Sequence, residues 1–185
     1  MGDDCAALVE LRAELGANWG DDPTDWRFTE WVTSASGKPR CVGFALPGQG
    51  FGPRGVVPLA KCLGKLTSLR NVVLYENAFG DEGAKVLAPS LEKLTSLERL
   101  NLCCNQFGAE GARALAPALP SLTKLTELKL GGNQLDDEAA RVLAPVLGSL
   151  PSLKECSLRM NDDISAEQRE ALCKAAPKVQ LHFTF

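Results

Sequence analysis

Leu69-Arg70-Asn71-Val72-Val73-Leu74-Tyr75-Glu76-Asn77-Ala78-Phe79 sets apolar side chains at 69, 72, 74 and 79 and an asparagine at 77. The same frame opens again at Leu97, Leu125 and Leu153, each 28 residues after the last. Stepping back by that interval gives Cys41-Val42-Gly43-Phe44-Ala45-Leu46, with Gln49 in the asparagine position and Phe51 beyond it. Stepping forward gives Leu181-His182-Phe183, which reads as a last partial strand. The second half of each unit recurs too. Gly80-Asp81-Glu82-Gly83-Ala84, Gly108-Ala109-Glu110-Gly111-Ala112 and Asp136-Asp137-Glu138-Ala139-Ala140 each lead into a Leu-Ala-Pro and a further leucine.

A fixed period of this length is the mark of a repeat architecture. Each unit offers a short apolar strand, a Gly/Asp start able to cap a helix, then apolar residues at helical spacing, such as Ala84, Leu87, Leu91 and Leu94. No single unit can bury its own apolar face, whereas stacked units share one continuous core. On these residues the chain resembles the ribonuclease-inhibitor-like class of leucine-rich repeats. The resemblance implies an α/β fold: a right-handed solenoid, a horseshoe arc with a parallel β-sheet on its concave side and short helices on its convex side. Residues 41–164 are read as the repeats, 1–40 as an N-terminal cap and 165–185 as a C-terminal cap.

Two features strain the pattern. Pro89, Pro117 and Pro145 fall inside the helical segments, where proline removes a hydrogen bond, so the helices are expected to kink or restart there. The unit from Leu153 reads Asn161-Asp162-Asp163-Ile164, with its apolar residue one place late, and is expected to deviate. The N-terminal region holds Trp19, Trp26 and Trp31 and an amphipathic stretch over 6–15, read as a helical cap that seals the first repeat. It bears a faint resemblance to the caps of plant and protist leucine-rich-repeat proteins. At the other end, Ser165-Ala166-Glu167-Gln168 is a capping-box pattern opening a helix to about Ala176, with an edge strand over 181–185.

The bulk numbers narrow the function. A length of 185 residues suits one domain, and the formal net charge is -3, a poor match to nucleic acid or to an anionic membrane surface. The first 40 residues carry eight acids and four bases, net -4; the other 145 carry fifteen acids and sixteen bases, net +1. No apolar run is long enough to span a membrane, and the start lacks the basic and apolar regions of a signal peptide. Seven cysteines without a pairing pattern suggest reduced thiols and a cytoplasmic setting, with a secreted or surface protein as the alternative.

Catalytic and cofactor signals are thin. Gly50-Phe51-Gly52-Pro53-Arg54-Gly55 matches the dinucleotide fingerprint, yet Gly52 and Gly55 align with Gly80 and Gly83, so the repeat already accounts for them. His182 is the only histidine and sits near the end of the chain, which suits an edge strand better than a catalytic centre. Without a Cys-x-x-Cys pair or a histidine cluster, no metal site and no cofactor are expected. Cys103 and Cys104 read as small apolar residues rather than reactive thiols. Asp162, Asp163 and Glu167 read as a solvated loop.

Alternation along the strands points the residues between the leucines at the concave surface. The candidate partner-binding residues are Asn71, Val73, Tyr75, Arg99, Asn101, Cys103, Glu127, Lys129, Glu155, Ser157 and Arg159. Tyrosine and arginine dominate binding hot spots. Five or six strands about 4.8 Å apart give a ridge of about 25 Å, sized for a peptide or a small protein patch. The expectation is a non-enzymatic protein-interaction module or scaffold, monomeric in isolation, with a protein or peptide partner. The alternatives are a regulator of an enzyme, of the GTPase-activating or nuclease-inhibitor kind, and a purely structural subunit.

Overall fold

The computed structural model describes residues 3–15, 29–33, 35, 37 and 39–184. Seven strands form one sheet in chain order: β1 Thr29–Thr33, β2 Pro39–Ala45, β3 Asn71–Val73, β4 Arg99–Asn101, β5 Glu127–Lys129, β6 Glu155–Ser157 and β7 Gln180–His182. β2 to β7 run parallel, and β1 pairs antiparallel with β2. Helices α1 Asp3–Leu15, α2 Gly52–Leu63, α3 Gly80–Leu91, α4 Ala109–Leu115, α5 Asp137–Ser149 and α6 Ala166–Ala175 make the second layer.

The register follows the 28-residue step from β2 to β6: Phe44, Val72, Leu100, Leu128 and Cys156 pair in succession. Their side chains are buried, as are Leu69, Leu97, Leu125 and Leu153 and the inner column Leu46, Leu74, Leu102, Leu130 and Leu158. The last step breaks the period. Leu181 pairs with Cys156, an interval of 25 residues, so Leu181 stands at the level of Cys156 and not of Leu153 as stepping by 28 implies. α6 ends at Ala175 and β7 starts at Gln180, while α3 ends at Leu91 and β4 starts at Arg99, so the shortfall lies in the connection.

Behind each of β3 to β6 an asparagine fastens two repeats. Asn105 Nδ2 donates to the carbonyls of Leu74, Leu102 and Cys103 at 2.9, 3.2 and 3.1 Å, and its Oδ1 accepts from the Asn77 N–H at 3.0 Å. Asn77, Asn133 and Asn161 repeat the pattern one step along. Buried backbone groups that the turn leaves without a strand partner are thereby satisfied. Gln49, expected in the same column, departs from it: its side chain is exposed and its Nε2 returns to the Pro47 carbonyl at 2.9 Å. The turn also forces left-handed backbone on Glu76, Cys104 and Met160 at φ near +55 to +58°, where Gly48 and Gly132 do the same without a Cβ.

Only one of the three expected helix interruptions occurs. α4 stops before Pro117 and resumes as a single 3-10 turn, Leu119–Ser121. α3 and α5 run through Pro89 and Pro145. Pro89 and the residue four before it, Lys85, are both exposed, so the carbonyl that proline leaves without a donor is on the wet side, where water can serve it. The Leu153 unit deviates as expected: α6 begins five residues after Asn161, whereas α3 begins three after Asn77, and Ile164 still reaches the core.

The N-terminal cap contains more than the helix read from the sequence. α1 seats Cys5, Ala7, Leu8 and Leu11 in the core. β1 is an extra strand, and Trp31 on it packs partly buried against the core, helped by a register shift between Glu30 and Trp31. Trp19 and Trp26 lie outside the described residues. Buried Asp4 accepts the Cys41 N–H at 2.9 Å and lies 3.7 Å from Arg40, Glu10 and Glu14 pair with Lys61 of α2, and Glu10 also pairs with Lys65 just beyond that helix. At the C-terminal end Ser165 Oγ accepts the Gln168 N–H at 3.3 Å, as the capping pattern suggests.

Candidate partner-binding surface

The three-residue strands set a strict inside-outside alternation. With the middle residue of each buried, its neighbours Asn71 and Val73, Arg99 and Asn101, Glu127 and Lys129, and Glu155 and Ser157 share the concave face. Arg99, Glu155 and Arg159 are exposed; Asn71, Val73, Tyr75, Asn101, Cys103, Glu127, Lys129 and Ser157 are half-buried. The sheet thus brings the eight predicted strand residues onto one surface with Arg159 beside them, while Tyr75 and Cys103 lie in the turns after β3 and β4.

Two concave positions contribute no surface. A Cβ on Gly131 would stand 3.0 Å from the Arg159 carbonyl oxygen, so glycine is what lets these two turns close up. A Cβ on Gly43 would stand 2.5 Å from Glu30 Oε2, because the Glu30 side chain, opposite Gly43 across the antiparallel pair, lies over it. The N-terminal end of the face is therefore partly covered by β1 and gains an exposed carboxylate there. Glu30 was missed by sequence reasoning, since residues before 41 carry no repeat signal from which to place a strand.

Two hollows lie along the face. One, of about 180 Å³, is lined by Asn71, Val73, Arg99, Asn101, Glu127 and Lys129 with Leu100 at its floor. The other, of about 250 Å³, is lined by Glu127, Lys129, Glu155, Ser157, Arg159 and His182 with Leu128 at its floor. Glu127 and Lys129 border both, and they are joined by an ion pair of 2.7 Å. His182 was read only as an edge-strand residue; the 25-residue last step is what aligns it with Ser157 and puts it in the second hollow.

Two thiols lie here, Cys103 in the turn after β4 and Cys156 in β6. Burial pushes the Cys103 thiol above its ordinary range and the Cys156 thiol up to about 12, so both stay protonated near neutral pH. Cys103 instead offers a small apolar contact beside Asn101, whose Oδ1 accepts the Cys103 N–H at 3.1 Å.

The glycine fingerprint also resolves structurally. Cβ atoms on Gly55 and Gly83 would stand 2.7 and 2.5 Å from the Cβ of Phe51 and Phe79, so each glycine makes room for the phenylalanine four residues earlier. Among the described residues the strand order never reverses, so these strands form no switch-point crevice for a dinucleotide. Among the described residues no group of three or more His, Cys, Asp or Glu is placed to hold a metal ion, and no helix is long and apolar enough to cross a membrane.

Comparison with known proteins agrees with this geometry. A family model described as Leucine Rich repeat matches residues 65–88, 93–116 and 121–144. Curated protein sequences give no match. Among solved structures the chain is similar to the tropomodulin C-terminal domain of Caenorhabditis elegans, with a TM-score of 0.63 and 16% identity over 96% of this chain and 93% of that one. It is also similar to the leucine-rich-repeat ectodomain of the receptor kinase SOBIR1 from Arabidopsis thaliana, with a TM-score of 0.58 and 22% identity over 98% and 92%. A third similarity is to the leiomodin-1 actin-binding site 2, with a TM-score of 0.55 and 20% identity over 66% and 70%. At these identities the likeness speaks for the fold alone. With the repeat in register through five successive strands and three segments matched by the family model, the chain carries leucine-rich repeats and folds as a leucine-rich-repeat solenoid.

Proposed function

We propose that this protein is an interaction module that binds a protein or peptide partner on its concave β-sheet and catalyses no reaction itself. The observation that carries this reading is the pair of adjoining hollows on that face, lined by exposed and half-buried polar side chains on a fully packed core. A rigid surface of this kind loses little entropy on binding. Tyr75, Arg99 and Arg159 supply the residue types that dominate binding energy elsewhere. The leiomodin fragment, an actin-binding site by its own description, offers a precedent for partner binding on this fold. The 28-residue period and the helix in every complete unit support placing it in the ribonuclease-inhibitor-like class.

The mixed charge of the face favours a protein or peptide over nucleic acid. We read the protein as a monomer in isolation, and as cytoplasmic on the strength of its seven cysteines without a pairing pattern. The test is affinity capture from native extract with the intact chain and with Arg99→Glu, Lys129→Glu and Arg159→Glu combined. The partner is expected with the unaltered chain and lost with the triple variant; equal recovery would overturn the concave site. Regulation of an enzyme is the finer alternative, separated by assaying the captured partner's activity with and without the chain.

A further inference from the structure

Resting on the concave reading, we propose that the hollow around Arg99 is an anchor pocket for one carboxylate side chain, aspartate or glutamate, of an extended peptide laid across the strands. Three observations meet there. First, Arg99 is exposed and in no ion pair among the described residues, although Glu127 neighbours it in the register. The Glu127 carboxylate is taken by Lys129 at 2.7 Å, so the anion beside Arg99 is neutralised and the Arg99 guanidinium is left open.

Second, apart from the paired Glu127 and Lys129, the other polar groups in the hollow are side-chain amides that can donate. Asn71 lines it beside Arg99 on the neighbouring strand. Asn101 has its Oδ1 occupied by the Cys103 N–H, so what it has left to offer is its NH₂. A guanidinium with side-chain amides beside it matches a bidentate carboxylate, the strongest of the ordinary charged hydrogen bonds. Third, Val73 gives the hollow one apolar wall, suited to the methylene of an acidic side chain.

The charge count selects a carboxylate over a phosphate. With Glu127 and Lys129 cancelling, the hollow has one net positive charge, which balances a monoanion; a dianion would face Glu127 with half its charge uncompensated. The second hollow is less suited to be the anchor, because Glu155 opposes Arg159 there. Seven strands about 4.8 Å apart span about 29 Å, the reach of roughly nine extended residues.

The test pans a phage-displayed library of random 12-residue peptides on the intact chain and measures binding of the retained sequences as labelled synthetic peptides. Retained peptides are expected to share one acidic position. Changing that acid to its amide should weaken binding at least tenfold, Arg99→Gln should lose the same factor, and the two changes together should lose little more. Arg159→Gln should keep the preference for the acid. Arg99 is exposed, so the variant is expected to melt as the parent does.

Several results would overturn the anchor: no shared acid, no retained peptide, equal binding of the acid peptide to Arg99→Gln and the parent, or tighter binding when phosphoserine replaces the acid. Peptides retained without an acid but lost on Val73→Asp would remove the anchor and leave the concave reading standing. Peptides retained by the parent and unaffected by Val73→Asp, Arg99→Gln and Arg159→Gln alike would remove both.

Discussion

Asn105 and Gln49 hold the same place in the repeat, one in the middle of the stack and one at its N-terminal end, and only the first is buried. In the middle, every turn follows another repeat, so a side-chain amide can reach back to both a carbonyl and an N–H of the preceding unit. At the end nothing precedes the turn except a cap of different construction, and the longer glutamine folds back on its own backbone. The middle repeats are therefore held by a device the period itself writes, whereas the N-terminal end is held by particular residues. The clearest of these are buried Asp4 and the acid pair Glu10 and Glu14.

The largest expected effect comes from breaking the ladder. Asn105→Ala leaves buried carbonyls and the Asn77 N–H short of partners and should lower unfolding free energy by about 3 kcal/mol, whereas Gln49→Ala should change it by less than about 0.5 kcal/mol. Urea melts of the two variants check the contrast; equal losses would erase it. Next, Asp4→Ala deprives the buried Cys41 N–H of its acceptor and should cost about 2 kcal/mol, with the loss concentrated in protection of α1 and β2 amides against hydrogen exchange.

The same end should be the one that responds to acid. Hydrogen bonds from Lys61 and Lys65 hold the Glu10 carboxyl well below its ordinary value of 4.5, at about 2. A depressed folded-state value means stability that is complete above about pH 4.5 and is lost as the pH falls toward 2. Protection factors of α1 amides, which correct for the intrinsic slowing of exchange in acid, should fall across that window, and Glu10→Gln should remove the fall. Because these side chains are exposed, the effect should shrink at high salt.

The smallest effect has the opposite sign. Met160 is half exposed and held at φ +56°, the left-handed region, while Gly132 fills the same place one repeat earlier. Met160→Gly relieves that strain and should raise stability by up to about 1 kcal/mol, read as a shift in the urea midpoint.

The sequence announced the middle of the molecule almost residue by residue, because a 28-residue period fixes both register and facing: Leu74, Leu102 and Leu130 had to be inside if the units stacked at all. The same logic brought Arg99, Glu127 and Lys129 to one face. It failed wherever the period stops. β1 has no earlier copy to be recognised by, and its pairing with β2 rests on a bulge at Glu30 and Trp31. His182 was out of place by three residues, because a shortened connection after α6 leaves the apolar pattern of β7 intact while shifting its partner. The charges on the face were legible, but which of them cancel was not: the Lys129–Glu127 pair depends on two side chains of one strand turning toward each other.

The account stands or falls on the concave sheet being the face that meets the partner. A photo-crosslinking amino acid placed at Val73, on the concave face, and at Lys85, exposed on α3, would read this directly in extracts of the native organism. The account predicts one discrete adduct from position 73 and none from position 85. An adduct from position 85 alone, or equal adducts from both, would contradict it.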